Sequence, residues 1–537
     1  MSWSGHNESG GDGPHDDRGD RQRDGRSAEA PAEAQPLDLR IVPAAITAWS
    51  VTASGIVWNA GVAVVVGLVA VGLTWLVTRR GAGPGAPHAT MAAVLAVGAV
   101  AAGFAVAVGL RVQQVEHHPV TSRYGGATTV EVVPAETPRV LNGGRLMFRA
   151  ALRRVEQVPM VGRVLVFAPA SFGQVAVGRP VSFRAAVQRP KRRDLSVAVL
   201  VASGRSASGQ ASAVQQVAQR IRNGFTDAAR AALPADQAAM LPALVLGDTS
   251  TVTGRTTEQF RTVGLTHLTA VSGANVTIVC GALLLSAALI GPRAAVLLAG
   301  AGLVGFVIVV APSPSVLRAA VMGAVTLLAV LTHRRRQAVP ALAASVIALM
   351  IAAPELAVDV GFALSVGATA GIVVLAPIWS ARLQARGWPR PAAAAVSVAV
   401  VAQLITAPLV AGISGTVSLV AVAANLAVAG IIPPITVLGT AAAAISPVWP
   451  AGAQLLIRFT GPELWWLLSV ARWASKLPAA ALPTPSGLAG VVAVAVGGVA
   501  LSVLWRLRWV RRGLAALVLG LLAWGLAGQV VGAVAST

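Results

Sequence analysis

Residues 41–78 read IVPAAITAWSVTASGIVWNAGVAVVVGLVAVGLTWLVT, 38 consecutive positions without Asp, Glu, Lys or Arg. A helix needs about 20 apolar residues to cross a hydrocarbon layer about 30 Å thick, so this stretch predicts two short transmembrane helices turning near Asn59 and Gly61. The pattern recurs along the chain. Residues 91–110 form a third span; 268–290, 294–311, 315–332, 338–353, 360–379, 393–412, 416–433 and 434–450 follow, and 487–504 and 514–533 close the series. Pro433-Pro434 can mark a break inside one re-entrant segment, which sets the range at 10–13 spans. The fold class expected is an all-α polytopic membrane protein with an inserted, extracytoplasmic, small β-barrel of OB-like type.

Composition agrees. The 537 residues are 55% hydrophobic and only 12% charged, with mean hydropathy +0.71. Soluble domains carry about 25% charged residues, which excludes a water-soluble enzyme. The formal charge of +21 is carried almost wholly by Arg, since Lys occurs only at Lys191 and Lys476, and it implies an anionic partner such as lipid head groups or nucleic acid. The single cysteine, Cys280, sits in an apolar run and reads as packing. Residues 1–40, with nine acids and five Arg but no apolar periodicity, read as a disordered cytoplasmic tail without a secretory signal.

Short cytoplasmic loops are enriched in Lys and Arg. Placing the tail inside puts Arg79-Arg80, Arg293, Arg334 to Arg336, Arg382/Arg386/Arg390 and Arg506/Arg508/Arg511/Arg512 inside. The break at Pro312 to Pro314, the acidic turn with Glu355 and Asp359, and residues 412–416 then fall outside. Residues 458–537 read as an interfacial helix carrying Trp465, Trp466 and Trp473, followed by the last spans.

Residues 111–261 interrupt the membrane pattern with 20 Lys and Arg against nine Asp and Glu. Val181, Phe183, Ala185 and Val187 alternate with Ser182, Arg184, Ala186 and Gln188, and several further extended runs precede residue 204. Five or six short strands in this length predict a closed barrel over 111–211, of a kind that binds single-stranded nucleic acid. Candidate phosphate contacts are Arg184, Arg189, Lys191, Arg192 and Arg193; a solvated basic face is the alternative. Over 212–261 the period becomes helical, with Val214, Val217, Ile221, Phe225 and Ala228 on one stripe. That suggests helices lying on the membrane surface, or docked on the barrel.

Ionisable groups inside spans are costly and face a bundle interior or an aqueous cavity. Residues 244–279, LVLGDTSTVTGRTTEQFRTVGLTHLTAVSGANVTIV, place Thr266, His267, Thr269, Ser272, Gly273 and Asn275 at the mouth of a span, as in a broken helix lining a cavity; ordinary packing through small residues is the alternative. Arg318 lies one turn beyond the Pro312 to Pro314 break and requires a carboxylate, carbonyls, water or an anion, unless it snorkels outward. Asp359 is a possible partner. Together these residues are expected to form two walls of one vestibule.

In order along the chain, GDTSTVTGRTTEQFRTVGLTHLTAVSGANV, PSPSVLRAAVM, VGFALSVGATAGI, QLITAPL and AANLAVAGIIPP resemble the ComEC competence-protein family, over roughly residues 40–450. The resemblance implies a channel domain over 262–457 in the bacterial cytoplasmic membrane that moves single-stranded DNA inward during transformation. It carries His267, Ser272, Gly273, Arg318, Ser365, Pro408 and Asn425 onto family motif positions; Asp248, Asn275 and Asp359 complete the candidate passage. Asn275 replaces the commoner histidine of a Ser-Gly-x-His pattern, which argues against acid-base or metal chemistry there. Neither the His-x-His-x-Asp-His signature of the family's metallo-β-lactamase-like domain nor a nucleotide-binding G-x-x-x-x-G-K-[ST] loop occurs in the sequence. The reading is therefore a channel rather than an enzyme, with no cofactor or metal. It would be served by an extracytoplasmic DNA receptor and a cytoplasmic helicase or translocase, and oligomerisation is open. A secondary transporter of a small anion or lipid and a non-transporting scaffold are the competing classes. Single cysteines at Ser182 and Ser313 should react with an impermeant reagent from outside and one at Gln337 should not; reversed labelling would invert the topology.

Overall fold

Most helices of this chain are apolar around their whole circumference, and the computed structural model shows what that composition builds. It describes residues 38–504 apart from 82–86, 142, 173–174, 288–289, 311–312 and 332–336. Pro312, Arg334 to Arg336, the Arg506 to Arg512 cluster, the expected span 514–533 and residues 1–37 of the expected tail lie outside the described residues. Helices α1 (Val42–Val57), α2 (Ala60–Gly81) and α3 (Pro87–Glu116) pack on one another. The barrel follows, and then α4 (Ala213–Ala232), α5 (Ala235–Leu246) and α6 (Gly254–Thr262). Next come α7 (Gly273–Ala287), α8 (Pro292–Val310), α9 (Pro314–Leu331), α10 (Ala338–Ala352), α11 (Val360–Val374), α12 (Ala376–Gln384) and α13 (Arg390–Ser414). The remainder is α14 (Ala421–Ala429), α15 (Ile432–Ile445), α16 (Pro450–Arg458), α17 (Gly461–Ala474) and α18 (Leu488–Leu504).

Five helical segments among the described residues are long and apolar enough to cross a membrane: Ala60–Arg80, Thr90–Arg123, Arg293–Val310, Val360–Gln384 and Arg390–Ser414. Six shorter apolar helical stretches of 10–17 residues accompany them, in α1, α5, α7, α9 (Pro314–Ala329), α10 and α18 (Leu488–Ala500). The two spans expected at 416–433 and 434–450 are instead one pair, α14 and α15, bent by 57°. The physical reason is Pro433 and Pro434. Proline is tolerated in the first turn of a helix, where its missing N–H costs nothing, but not in the interior, so a second helix starts at Ile432. Within residues 212–261 the helices pack on the helical bundle rather than on the barrel. Helix α4 is amphipathic but docks on α5, α8, α15 and α16, and α5 is buried along Met240 to Leu246.

The barrel is built from β1 (Ala127–Pro134), the two-residue β2 (Arg139–Val140), β3 (Leu146–Val155), β4 (Val158–Ala168), β5 (Val181–Gln188) and β6 (Ala198–Ser208). Its order is β1-β5-β6-β4-β3, and β3 pairs back onto β1 to close the ring, with β2 added at the rim of β3. All pairings are antiparallel except β4 with β6, where Val164 sits opposite Ala198. Alternation puts Val130, Val132, Phe148, Leu152, Val166, Phe183 and Leu200 inside. Register shifts at Glu131/Val132, Leu152/Arg154 and Ser182/Arg184 supply the bends that closure needs. The β3–β4 turn holds Glu156 at φ 55, where its carboxylate accepts from Arg123 and Thr128 and is held below the usual carboxylate range by those bonds.

Ionic contacts join barrel to helices. Arg163 pairs with Glu355 in the 3-10 turn Pro354–Val358, and Arg149 lies 3.4 Å from Asp359. Arg193 donates to the carbonyl of Trp58, at the α1–α2 turn. Trp49 of α1 donates to Ala357 O at 2.8 Å and packs edge-on against Phe362 at 5.4 Å. Half-exposed ion pairs contribute about 0.2–1 kcal/mol each. Reversing both barrel arginines, Arg163→Glu with Arg149→Glu, should therefore speed amide hydrogen exchange in 354–359 while leaving the barrel core protected. With Arg163→Glu alone, adding Glu355→Arg should restore protection; failure to do so would remove that pair from the docking.

Candidate functional site

The site is organised by the N-terminal turn of α7. Ser272 Oγ accepts from the backbone N–H of Asn275 at 3.4 Å and donates to Asn275 Oδ1 at 3.2 Å, so the Ser-Gly-x-Asn pattern is a helix cap closed on itself. Asn275 is buried, and its Nδ2 donates at 3.0 Å to the carbonyl of Leu244 near the end of α5. That carbonyl lies in the last turn of α5, where intrahelical donors run out. Gly247 terminates α5 with φ 75, and Asp248 then folds into a local turn by accepting from Ser250 N at 3.0 Å. A cavity just large enough for one water separates Ser272 and Asn275 from Ile432, Ile435 and Thr436 of α15.

Arg318 occupies the other side of the same turn. It is only 5% exposed, so it does not snorkel to an interface. Its Nε donates to Ser365 Oγ of α11 at 2.8 Å, and Nη1 lies 2.9 Å from the sulfur of Met322, one turn along α9. A methyl group on Gly273 would come within 2.7 Å of Nη2. Glycine at this position is thus what lets the guanidinium lie against the start of α7. Among the described residues no carboxylate forms an ion pair with Arg318.

The structure brings Gly273, Arg318 and Ser365 together, and Ser272 and Asn275 with Leu244. The expected vestibule between two walls is corrected to direct contact: Gly273 meets the guanidinium. Asp359 is corrected as well. It caps α11 by accepting from Phe362 N at 3.0 Å and faces Arg149 of the barrel rather than Arg318. His267 is exposed on the one-turn helix Thr266–Leu268. Pro408 lies within α13, and Asn425 bonds its own helix through Ala421 O at 2.8 Å; neither is brought to Arg318 by a hydrogen bond. Asp248 acts elsewhere, by opposing the burial that pushes the Arg222 guanidinium down where it caps α8 through the carbonyls of Ile308 and Val309.

On the barrel, Arg184 projects from β5, and Arg189, Lys191, Arg192 and Arg193 line the β5–β6 loop, all exposed. Arg193 is committed to Trp58, whereas the other four have no ion-pair partner among the described residues. Of the barrel aromatics that could stack on a base, Phe148, Phe172 and Phe183 are core, which leaves Phe167 and Tyr124. Phe167 lies on the outer face of β4 beside Met147 of β3, with the Arg145 guanidinium 6.0 Å from its ring centre. The alternation from Val164 to Ala168 was the available signal, because it places Phe167 outward. Tyr124 belongs to the base of the basic loop, donating to Val197 O at 2.6 Å; burial pushes its hydroxyl up, with Arg189 pulling the other way.

Residues 244–509 match the family described as Competence protein, a block that opens at Leu244, whose carbonyl holds Asn275. The chain belongs to the competence protein family. No curated protein and no solved structure matches it.

Hydrogen bonds to charged groups contribute about 1.5–3 kcal/mol, so Ser365→Ala should lower the thermal stability of the purified protein, and Ser365→Thr should recover part of the loss. Unchanged unfolding of the Ala variant would mean that Arg318 finds its compensation elsewhere.

Proposed function

We propose that this protein is a channel of the bacterial cytoplasmic membrane that passes single-stranded DNA inward, with the barrel as its external collecting domain. The observation that carries the reading is Arg318: a permanent cation, buried, with a hydroxyl and a sulfur around it but no carboxylate partner among the described residues. Burying a charge without a counter-ion is expensive, and such sites inside membrane proteins mark ion or substrate paths. A phosphate reaching it supplies the missing charge, and neutral neighbours let that phosphate leave again.

Three features support the wider reading. At most one third of an 18-residue apolar stretch in each of the five long helices is buried, and α2 exposes Val64, Leu68, Val69 and Leu73. A helix that is apolar all round suits a lipid surrounding. The barrel has five strands closed by a Greek-key order with a single parallel pair, which suits an OB-fold. In OB-folds the second and third strands and the loop between the fourth and fifth bind oligonucleotides. Here those are β3, β4 and the Arg189 to Arg193 loop. The same β3–β4 face carries Arg149 and Arg163 onto the Glu355/Asp359 turn. Asp359 begins α11, which holds Ser365 against Arg318 less than two turns further on. A strand held on this barrel face would therefore be delivered to the helix that carries the Arg318 contact. A small-anion transporter would share Arg318 but leaves the basic barrel without a role. The sidedness also fits, because the Trp58 turn, the barrel and the Glu355/Asp359 turn share one end of the helices.

Arg318→Gln should abolish uptake of labelled DNA while surface binding and membrane insertion persist, and Arg318→Lys should retain part of the activity. Normal uptake by the Gln variant would overturn the assignment. On the full-length protein, Lys191→Gln with Arg192→Gln should reduce the log–log salt slope of single-strand binding by about 0.7 for each phosphate that is no longer neutralised. Phe167→Ala should weaken binding by about 1–3 kcal/mol if a base stacks there.

A further inference from the structure

Away from this path, α1 packs against both α3 and α10 and leaves between them a cleft of about 450 Å³, within the range of ligand sites. On α3, Gly103, Phe104, Ala107 and Arg111 share one helical face that lines it, and Met350 and Pro354 form part of the facing wall. The lining is apolar except for Thr52, whose hydroxyl is already bonded to Ala48 O, and Arg111. Arg111 is exposed and has neither an ion-pair nor a hydrogen-bond partner among the described residues. Pro354 opens the turn on which the barrel docks, so both lie near the barrel end of the helices. A long apolar cleft ending in one unpaired cation is complementary to an amphiphile with an anionic head. Nucleic acid does not fit the lining, since its affinity comes from many cationic contacts. Among the described residues no carboxylate lines the cleft to receive the ammonium of a zwitterionic head group.

We propose that this cleft binds one anionic phospholipid of the outer leaflet, with an acyl chain between α3 and α10 and its phosphate on Arg111. The proposal rests on the membrane reading above, not on DNA transport. It gives α3, the helix that leads into the barrel, a lipid-filled seam against α10, the helix that leads into the docking turn.

The test uses the full-length protein reconstituted in nanodiscs of phosphatidylcholine with and without phosphatidylglycerol of the same acyl chains, scored by the lipid retained after detergent washing. One basic residue near a membrane surface gives about a fivefold preference for the anionic lipid, and that preference is expected here. Arg111→Gln should abolish the preference while chain retention continues, and Arg111→Lys should keep it. A Cβ on Gly103 meets nothing within 4 Å, so Gly103→Leu fills the cleft without displacing the helix and should abolish retention of both lipids. Inorganic phosphate should not compete. A preference that survives Arg111→Gln, retention that survives Gly103→Leu, or competition by inorganic phosphate would each overturn the site. Failure of the chain to enter nanodiscs at all would overturn the membrane reading, and the site with it.

Discussion

The acidic turn at Glu355 and Asp359 is the joint on which the two kinds of architecture in this chain depend. Glu355 takes Arg163 of the barrel, and Asp359 takes Arg149 with one end of its carboxylate while the other caps α11. A capping carboxylate at a helix N-terminus is already favoured by the unsatisfied N–H groups there. The ion pair with Arg149 therefore falls on a group held in place by its own helix. Trp49 adds a bond from α1 to the same turn. Barrel, N-terminal helices and the α9–α11 pair are thus referred to one short segment.

From that joint the surroundings of Arg318 follow along α11. Ser365 is on the helix that Asp359 begins, and it holds Arg318 against Gly273 of α7. Three helices meet through one guanidinium, and none contributes a negative charge there. In the channel proposed above, neutral compensation would keep the cation available to a transient anion, whereas a carboxylate in the same position would satisfy it permanently.

Much of this was legible in residues read one stretch at a time. Uninterrupted apolar runs, strand alternation and the stop signals between them located the helices and the barrel, since period and length depend only on neighbours in sequence. The polar stretch from His267 to Asn275 and the isolated Arg318 stood out because apolar surroundings make such residues costly wherever they fold. Pro433-Pro434 announced a break, and only its consequence, a bent pair in place of two spans, needed the structure.

Partners could not be read in this way. Asp359 and Arg318 are both charged and lie near successive breaks, so pairing them is reasonable in sequence; Arg149, more than two hundred positions away, reaches Asp359 only because the barrel closes and docks. The same holds for Asn275 with the carbonyl of Leu244, and for Phe167 beneath Arg145. Most helices, the strands of the barrel and the side chains that need compensation could be located from chain order, because hydrophobic period and charge are local properties, but the short strand Thr416–Ser418 inside an expected span could not, because its partner Ala481–Pro483 lies far along the chain. Tertiary structure alone decided who compensates whom, because an ion pair or a buried hydrogen bond requires a few ångströms of proximity that chain order does not encode.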